Sequence, residues 1–341
     1  MSISSSLKDF FLYAMFLFFV YLFFFGNEDM LTSFGVTLSE EWKAVFIVFL
    51  SLLLEALPFI ILGAIASSII QLFVGEQTIQ RLVPKNPFPA MIVALCIAVI
   101  TPVCECAIIP VVRRLIQKGV PAHAGTVILV GAPILNVVVF ASTYYAFQNQ
   151  PAIYFGRFIL CALTALVTGM ILYIVLSKSE ILKIRKEDLI PKGVHLSNER
   201  GTSKWKAIIH HSSHEFFQVG KYFIIGAFLA SLAQVYIERS ALAQAVSGPV
   251  AETTIMMGLA FLLSICSEAD AFVAASFKGT FLPSAILGFL VYGPILDLKN
   301  FLVMFSYFKM RFILFYTVVV TIIIFILSII AGQYISKVGL W

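Results

Sequence analysis

Runs of about 20 apolar residues recur along the whole chain, and nothing else in the sequence constrains its fold as strongly. A helix of that length matches the hydrocarbon thickness of a bilayer. Nine such segments can be marked, at 10–25, 44–74, 91–116, 127–145, 153–176, 216–237, 254–277, 282–308 and 312–335. The expected fold is an all-α polytopic membrane protein of about 8–9 membrane segments, with the lipid bilayer as its solvent. Composition agrees, since 60% of the 341 residues are hydrophobic and 12% are charged, against about 25% charged in a soluble domain. The net charge of +5 comes largely from one polar loop, so no nucleic-acid partner is implied.

The first segment ends in "FFFGNED", with no small-residue cleavage site, so it reads as a retained helix rather than a signal peptide. All five cysteines, Cys96, Cys104, Cys106, Cys161 and Cys266, fall inside apolar segments. That is not the pattern of an extracellular disulfide framework.

One long hydrophilic stretch, "SKSEILKIRKEDLIPKGVHLSNERGTSKWK", carries eight Lys/Arg and divides the chain near its middle. The excess of basic residues assigns it to the cytoplasm. The flanking halves resemble each other. "GAIASSIIQ" from Gly63 lines up with "GAFLASLAQ" from Gly226, "CECA" at 104–107 with "CSEAD" at 266–270, and "GAPILN" at 131–136 with "YGPILD" at 292–297. The implied organisation is an N-terminal helix and extracytoplasmic loop at 1–43, a first repeat at 44–176, a basic cytoplasmic linker at 177–215 and a second repeat at 216–341. Secondary transporters are often built this way, with substrate bound where the halves meet. If each cysteine-containing segment enters and returns as a re-entrant hairpin, Arg81, Lys85, Arg113, Arg114, Lys118, Lys309 and Arg311 share the linker's side. The acidic loop with Glu28, Asp29, Glu40 and Glu41 then faces out, and the halves are inverted. This arrangement gives a stronger charge bias than nine full crossings, and is preferred.

Chemistry concentrates in "TPVCECAIIP" at 101–110. Thr101 and Ile109 each precede a proline, which pushes them out of the helical region. The prolines also remove backbone donors. The stretch is expected to be unwound or kinked, which is tolerated at membrane depth only beside protein or a watery cavity. In an extended segment Cys104 and Cys106 point to one side; in a regular helix they do not.

Ionisable residues within membrane segments are costly and point to function by default. Glu55, Glu105, Glu268, Asp270 and Asp297 are such residues. If the halves meet, Cys104, Glu105 and Cys106 converge with Cys266, Glu268 and Asp270 on a small ion. Cys104, Cys106, Cys266 and Glu268 suit a borderline-soft cation such as zinc, or a thiophilic metalloid. Carboxylates alone also suit proton coupling. Plainer readings stand beside these. Cys96 and Cys161 read as small buried hydrophobes. Glu55 could be structural glue, and Asn136 and Asp297, each following "PIL", could cap broken helices as readily as touch substrate.

"HHSSH" places His210 and His214 on one helix face, a spacing able to bind metal, but at a segment entry where polar side chains are ordinary. Arg113 and Arg114 read as a cytoplasmic boundary. No Walker-type loop is visible, no cofactor is called for, and the chain is not expected to be an enzyme.

"TPVCECAIIPVVRRLIQKGVP" with the downstream "GAPILN" resembles the signature of a bacterial predicted-permease family related to ArsP-type organoarsenical efflux permeases. "CSEADAFVAASF" is similar to the branch of two-component membrane permease complex subunits found in Gram-positive bacteria. The resemblance runs from about residue 44 onward. Members with arsenical activity tend to show "CSC" with a following Ser; here Glu105 and Ala107 take the place of those serines. The resemblance implies a permease with a second membrane or extracytoplasmic subunit as partner. The expected function is movement of a small metal or metalloid species through a midplane site. The alternative is an intramembrane thiol redox protein or sensor using Cys104 and Cys106, for which a C-x-C bridge would be strained. A third reading, a structural subunit without transport, does not explain the paired intramembrane acids.

Overall fold

The computed structural model describes residues 39–73, 75, 83–84, 86–101, 103–175, 181–182, 204–236 and 248–338, with only the backbone at 72, 73, 204–208, 210, 211 and 214. The segment at 10–25, the loop with Glu28 and Asp29, Arg81, Lys85, most of the linker and the side chains of His210 and His214 lie outside the described residues.

Twelve α-helices make up the described chain: α1 Glu40–Phe73, α2 Pro87–Ile100, α3 Glu105–Gln117, α4 Ala122–Gly131, α5 Val137–Ala146, α6 Pro151–Val175, α7 Lys204–Tyr236, α8 Pro249–Leu263, α9 Asp270–Ser276, α10 Pro283–Ile295, α11 Leu298–Met304 and α12 Met310–Val338. Proline opens α2, α6, α8 and α10, where a missing N–H is harmless and the fixed φ already suits a helix. Five stretches are long and apolar enough to cross a membrane: Glu40–Gln71, Pro151–Val175, Glu215–Tyr236, Pro283–Met304 and Met310–Val338. The chain is a multi-pass membrane protein.

Four segments expected as single runs are each broken into two helices. The run at 91–116 is α2 and α3, that at 127–145 is α4 and α5, that at 254–277 is α8 and α9, and that at 282–308 contains α10 and α11. Apolar composition marked the runs, but local backbone chemistry ends the helices inside them. Thr101, before a proline in the sequence, is extended at φ −92°, ψ 99°. Ser264 ends α8 in the left-handed conformation at φ 49°, which an L-residue adopts at a cost. The helix α2 spans 14 residues, about 21 Å, too short for a hydrocarbon core of about 30 Å. At the linker the difference runs the other way, because α7 begins at Lys204, inside the stretch expected to be loop.

The long helices α1 and α7 pack on each other, α1 also on α3 and α7 on α11. Gly63 and Gly226 make these contacts close. A Cβ on Gly63 would come 2.8 Å from Ala107 Cα, and one on Gly226 would come 2.9 Å from Lys299 Cα. Elsewhere the two halves follow one scheme. In the first, α2 packs on α4 and α4 on α6; in the second, α8 packs on α10 and α10 on α12. The short helices cross over, with α3 against α11 and α9 against α5. Among the described residues a single buried apolar cluster runs through both halves.

Candidate functional site

Three of the four helix breaks converge on a cleft of about 320 Å³, lined by Glu55, Phe59, Cys104, Asn136, Val138, Cys266 and Glu268. Glu55 and Phe59 lie four residues apart on α1 and therefore on one face of it. Cys104 is the N-cap of α3, extended at φ −67°, ψ 164°. Asn136 is the N-cap of α5, its Oδ1 accepting from Val139 N at 2.9 Å. Cys266 and Glu268 come from the connection between α8 and α9, where the Cys266 thiol donates to Glu268 Oε2 at 2.8 Å. Ser267 Oγ donates to the same oxygen at 3.4 Å.

Glu105, Cys106, Asp297 and Lys299 lie buried in the same region. Glu105, in the first turn of α3, lies in electrostatic range of Lys299, Asp297 and Glu268. Its Oε2 has no hydrogen-bond partner among the described residues. Cys106 feels the charges of Glu105, Lys299 and Asp297. Asp297 caps α11, its Oδ1 accepting from Asn300 N at 2.7 Å, while its Oδ2 stands 3.8 Å from Lys299 Nζ. Ser264 closes the arrangement from α8, its hydroxyl accepting from Leu298 N at 3.1 Å and Lys299 N at 3.4 Å. The side-chain amide of Gln234 on α7 donates to the carbonyl of Leu263 beside it.

The geometry distributes the expected site residues unequally. Cys104, Cys266, Glu268, Asn136 and Glu55 line the cleft together, and Glu105, Cys106 and Asp297 stand buried beyond the lining. Asp270 turns away to Arg157 on α6: Asp270 Oδ2 and Arg157 Nη2 form a buried ion pair at 2.7 Å. Arg157 also donates to Thr143 Oγ1 at 2.7 Å and to the Ser267 carbonyl at 3.2 Å. Both Asn136 and Asp297 act as helix caps, and Asn136 is part of the cleft wall as well. Among the described residues, no three His, Cys, Asp or Glu side chains are grouped closely enough to hold a metal ion. All five cysteines are free thiols.

Two basic residues escaped the sequence reading, Lys299 and Arg157. Both stand inside apolar runs, where a cation is as conspicuous as the carboxylates. Arg113 and Arg114, read from the sequence as a cytoplasmic boundary, are tied into the fold: Arg113 is buried, with its guanidinium 4.9 Å from the ring centroid of Tyr307, and Arg114 Nε donates to the buried Glu215 at 3.0 Å, the first residue of a candidate membrane span. The pairing of Arg114 with a residue 101 positions away could not be seen in the local pattern. Cys161 is buried against the Val130 carbonyl, as a small core residue would be, whereas Cys96 is exposed.

Residues 41–333 match the ArsP-type family described as predicted permeases. The chain belongs to that family. The permease is 43% identical over 280 residues to the UPF0718 protein YcgR of Bacillus subtilis, covering 81% of this chain and 93% of the relative. It is 36% identical over 286 residues to a Streptococcus mutans protein named as a two-component membrane permease complex subunit, covering 84% of this chain and 94% of that one. No solved structure matches the permease.

Proposed function

We propose that the permease carries a small soft or divalent metal cation, or a metalloid species, through the cleft between its halves. The observation that carries this reading is the meeting of Cys104 and Cys266, which the repeat alignment makes counterparts, in one cleft with Glu268 and Glu55. Thiol and carboxylate groups together suit ions between hard and soft. A site without a closed ligand set fits transport better than storage, because a permeating ion must leave as readily as it enters.

The shared packing scheme supports a duplicated architecture of 44–176 and 216–341, and the four broken segments support re-entrant elements within 8–9 segments. On this reading the halves are inverted and the basic linker is cytoplasmic. The relative named as a complex subunit supports a second subunit as partner, and co-purification of the tagged permease from its own membranes tests that point.

A deletion strain grown across zinc, copper, manganese and arsenicals, then complemented with wild type or Cys104→Ser, tests the transport reading. Sensitivity or starvation specific to one species, restored by wild type and not by the variant, is the expected result. Growth identical to the parent under every challenge, or full rescue by the variant, overturns it.

A further inference from the structure

Lys299 is a buried cation just beyond the cleft lining. The side chain is only 4% exposed. Besides Asp297, it lies in electrostatic range of Glu105, Cys106 and Cys266. A lysine near lipid normally runs its ammonium out to water along a flexible stem. Here the backbone is pinned: Ser264 Oγ accepts from Lys299 N, and Gly226 packs against Lys299 Cα.

The pairing is loose for a buried ion pair. The Lys299–Asp297 separation of 3.8 Å exceeds the roughly 2.7–2.9 Å of a charge-assisted hydrogen bond. Glu105 Oε2 is left without a hydrogen-bond partner. An ammonium in such a place acts through its field on several acids at once, and not through one closed contact.

We infer that Lys299 is the resident counter-cation of Glu105 and Asp297, offsetting those acids before an ion enters and lowering the site's affinity for an entering cation. Lys299 is thereby a specificity-determining residue that keeps the site an exchanger and not a trap. The inference rests on the cleft being a cation path. Its consequence is counterintuitive for a residue beside a binding site, because removing it tightens binding.

The test measures Cd²⁺ binding to the purified, full-length permease in detergent by titration calorimetry, at fixed ionic strength. Lys299→Met and Lys299→Gln should each bind Cd²⁺ at least about 10-fold more tightly than wild type, a floor set well below the full Coulomb energy of a unit charge a few ångströms away at an effective dielectric near 20, since protons taken up by the acids offset part of it. Lys299→Arg, which keeps the charge, should bind as wild type does. Having two neutral replacements keeps the test decisive if one of them fails to fold. Neutral variants that bind no more tightly than wild type overturn the role of Lys299, while loss of binding in Cys104→Ser and Cys266→Ser would still uphold the thiol site. Tighter binding in the Lys299 variants with no effect of either serine substitution upholds Lys299 and overturns the thiols. No binding by wild type or by either neutral variant overturns both.

Discussion

Arg157 on α6 and Asp270 at the head of α9 are joined at 2.7 Å with neither side chain reaching solvent. The pair ties one proposed repeat to the other immediately behind the connection that carries Cys266 and Glu268. Arg157 also holds the Ser267 carbonyl, within that connection, at 3.2 Å. A buried pair adds little net stability, but breaking it strands a charge, at roughly 3–5 kcal/mol.

Arg157→Met should therefore lower the thermal stability of the detergent-solubilised permease sharply. Arg157→Met combined with Asp270→Leu should recover most of the loss, since neither charge is then left alone. A differential scanning fluorimetry series on the three proteins checks this, and a double variant as unstable as the single one contradicts it.

Cysteine substitutions should separate by position. Cys104→Ser should reduce transport of a thiophilic ion by an order of magnitude or more while membrane insertion stays normal, because a soft ligand is lost. Cys161→Ser should leave transport near wild type, since that thiol lies against Val130 outside the cleft lining. Uptake or efflux assays in membrane vesicles with matched protein levels distinguish the two.

At Gly63 the constraint is steric. A Cβ there would sit 2.6 Å from Ala107 Cβ and 2.8 Å from Ala107 Cα, with helix backbone unable to yield cheaply. Gly63→Val should separate α1 from α3 and destabilise by about 1–3 kcal/mol, as overpacking does. Gly220→Ala, with nothing within 4 Å of its added Cβ, is the control and should be nearly silent. Thermal melts of both variants provide the measurement.

Ser264 does two jobs that substitution can divide. Its φ of 49° favours glycine, whereas its hydroxyl serves Leu298 N and Lys299 N. Ser264→Gly should relieve the backbone yet lose the hydroxyl, and Ser264→Ala should lose the hydroxyl while keeping the strain. Transport should fall in both, with Ser264→Ala the less stable by about 1 kcal/mol. Equal stability of the two would show that the conformation is not strained.

The sequence reading reached the membrane class, the family and the polar residues of the cleft lining, though not Phe59 or Val138, because each leaves a one-dimensional trace: apolar runs, the proline–cysteine motif, and acids where lipid should be. Cys104 and Cys266 could be paired only through the matching of the halves. The breaks at 101–104 and 264–269 were half-visible, since a proline announces the first but nothing comparable announces Ser264. The partnership of Asp270 with Arg157, and of Arg114 with Glu215, required knowing which helices meet. Lys299, two residues after Asp297, stands in an apolar run as plainly as the acids do, but that Ser264 and Gly226 hold its backbone depends on the packing.

Pro58 lies inside α1, three residues beyond Glu55 and next to Phe59. It cannot supply the amide that would serve the Leu54 carbonyl one turn earlier. The longest of the described helices therefore lacks one backbone hydrogen bond at the level where Glu55 and Phe59 wall the cleft. A helix missing that rung yields there more readily than elsewhere along its length, so the stiffness of this wall is set by a single absent amide.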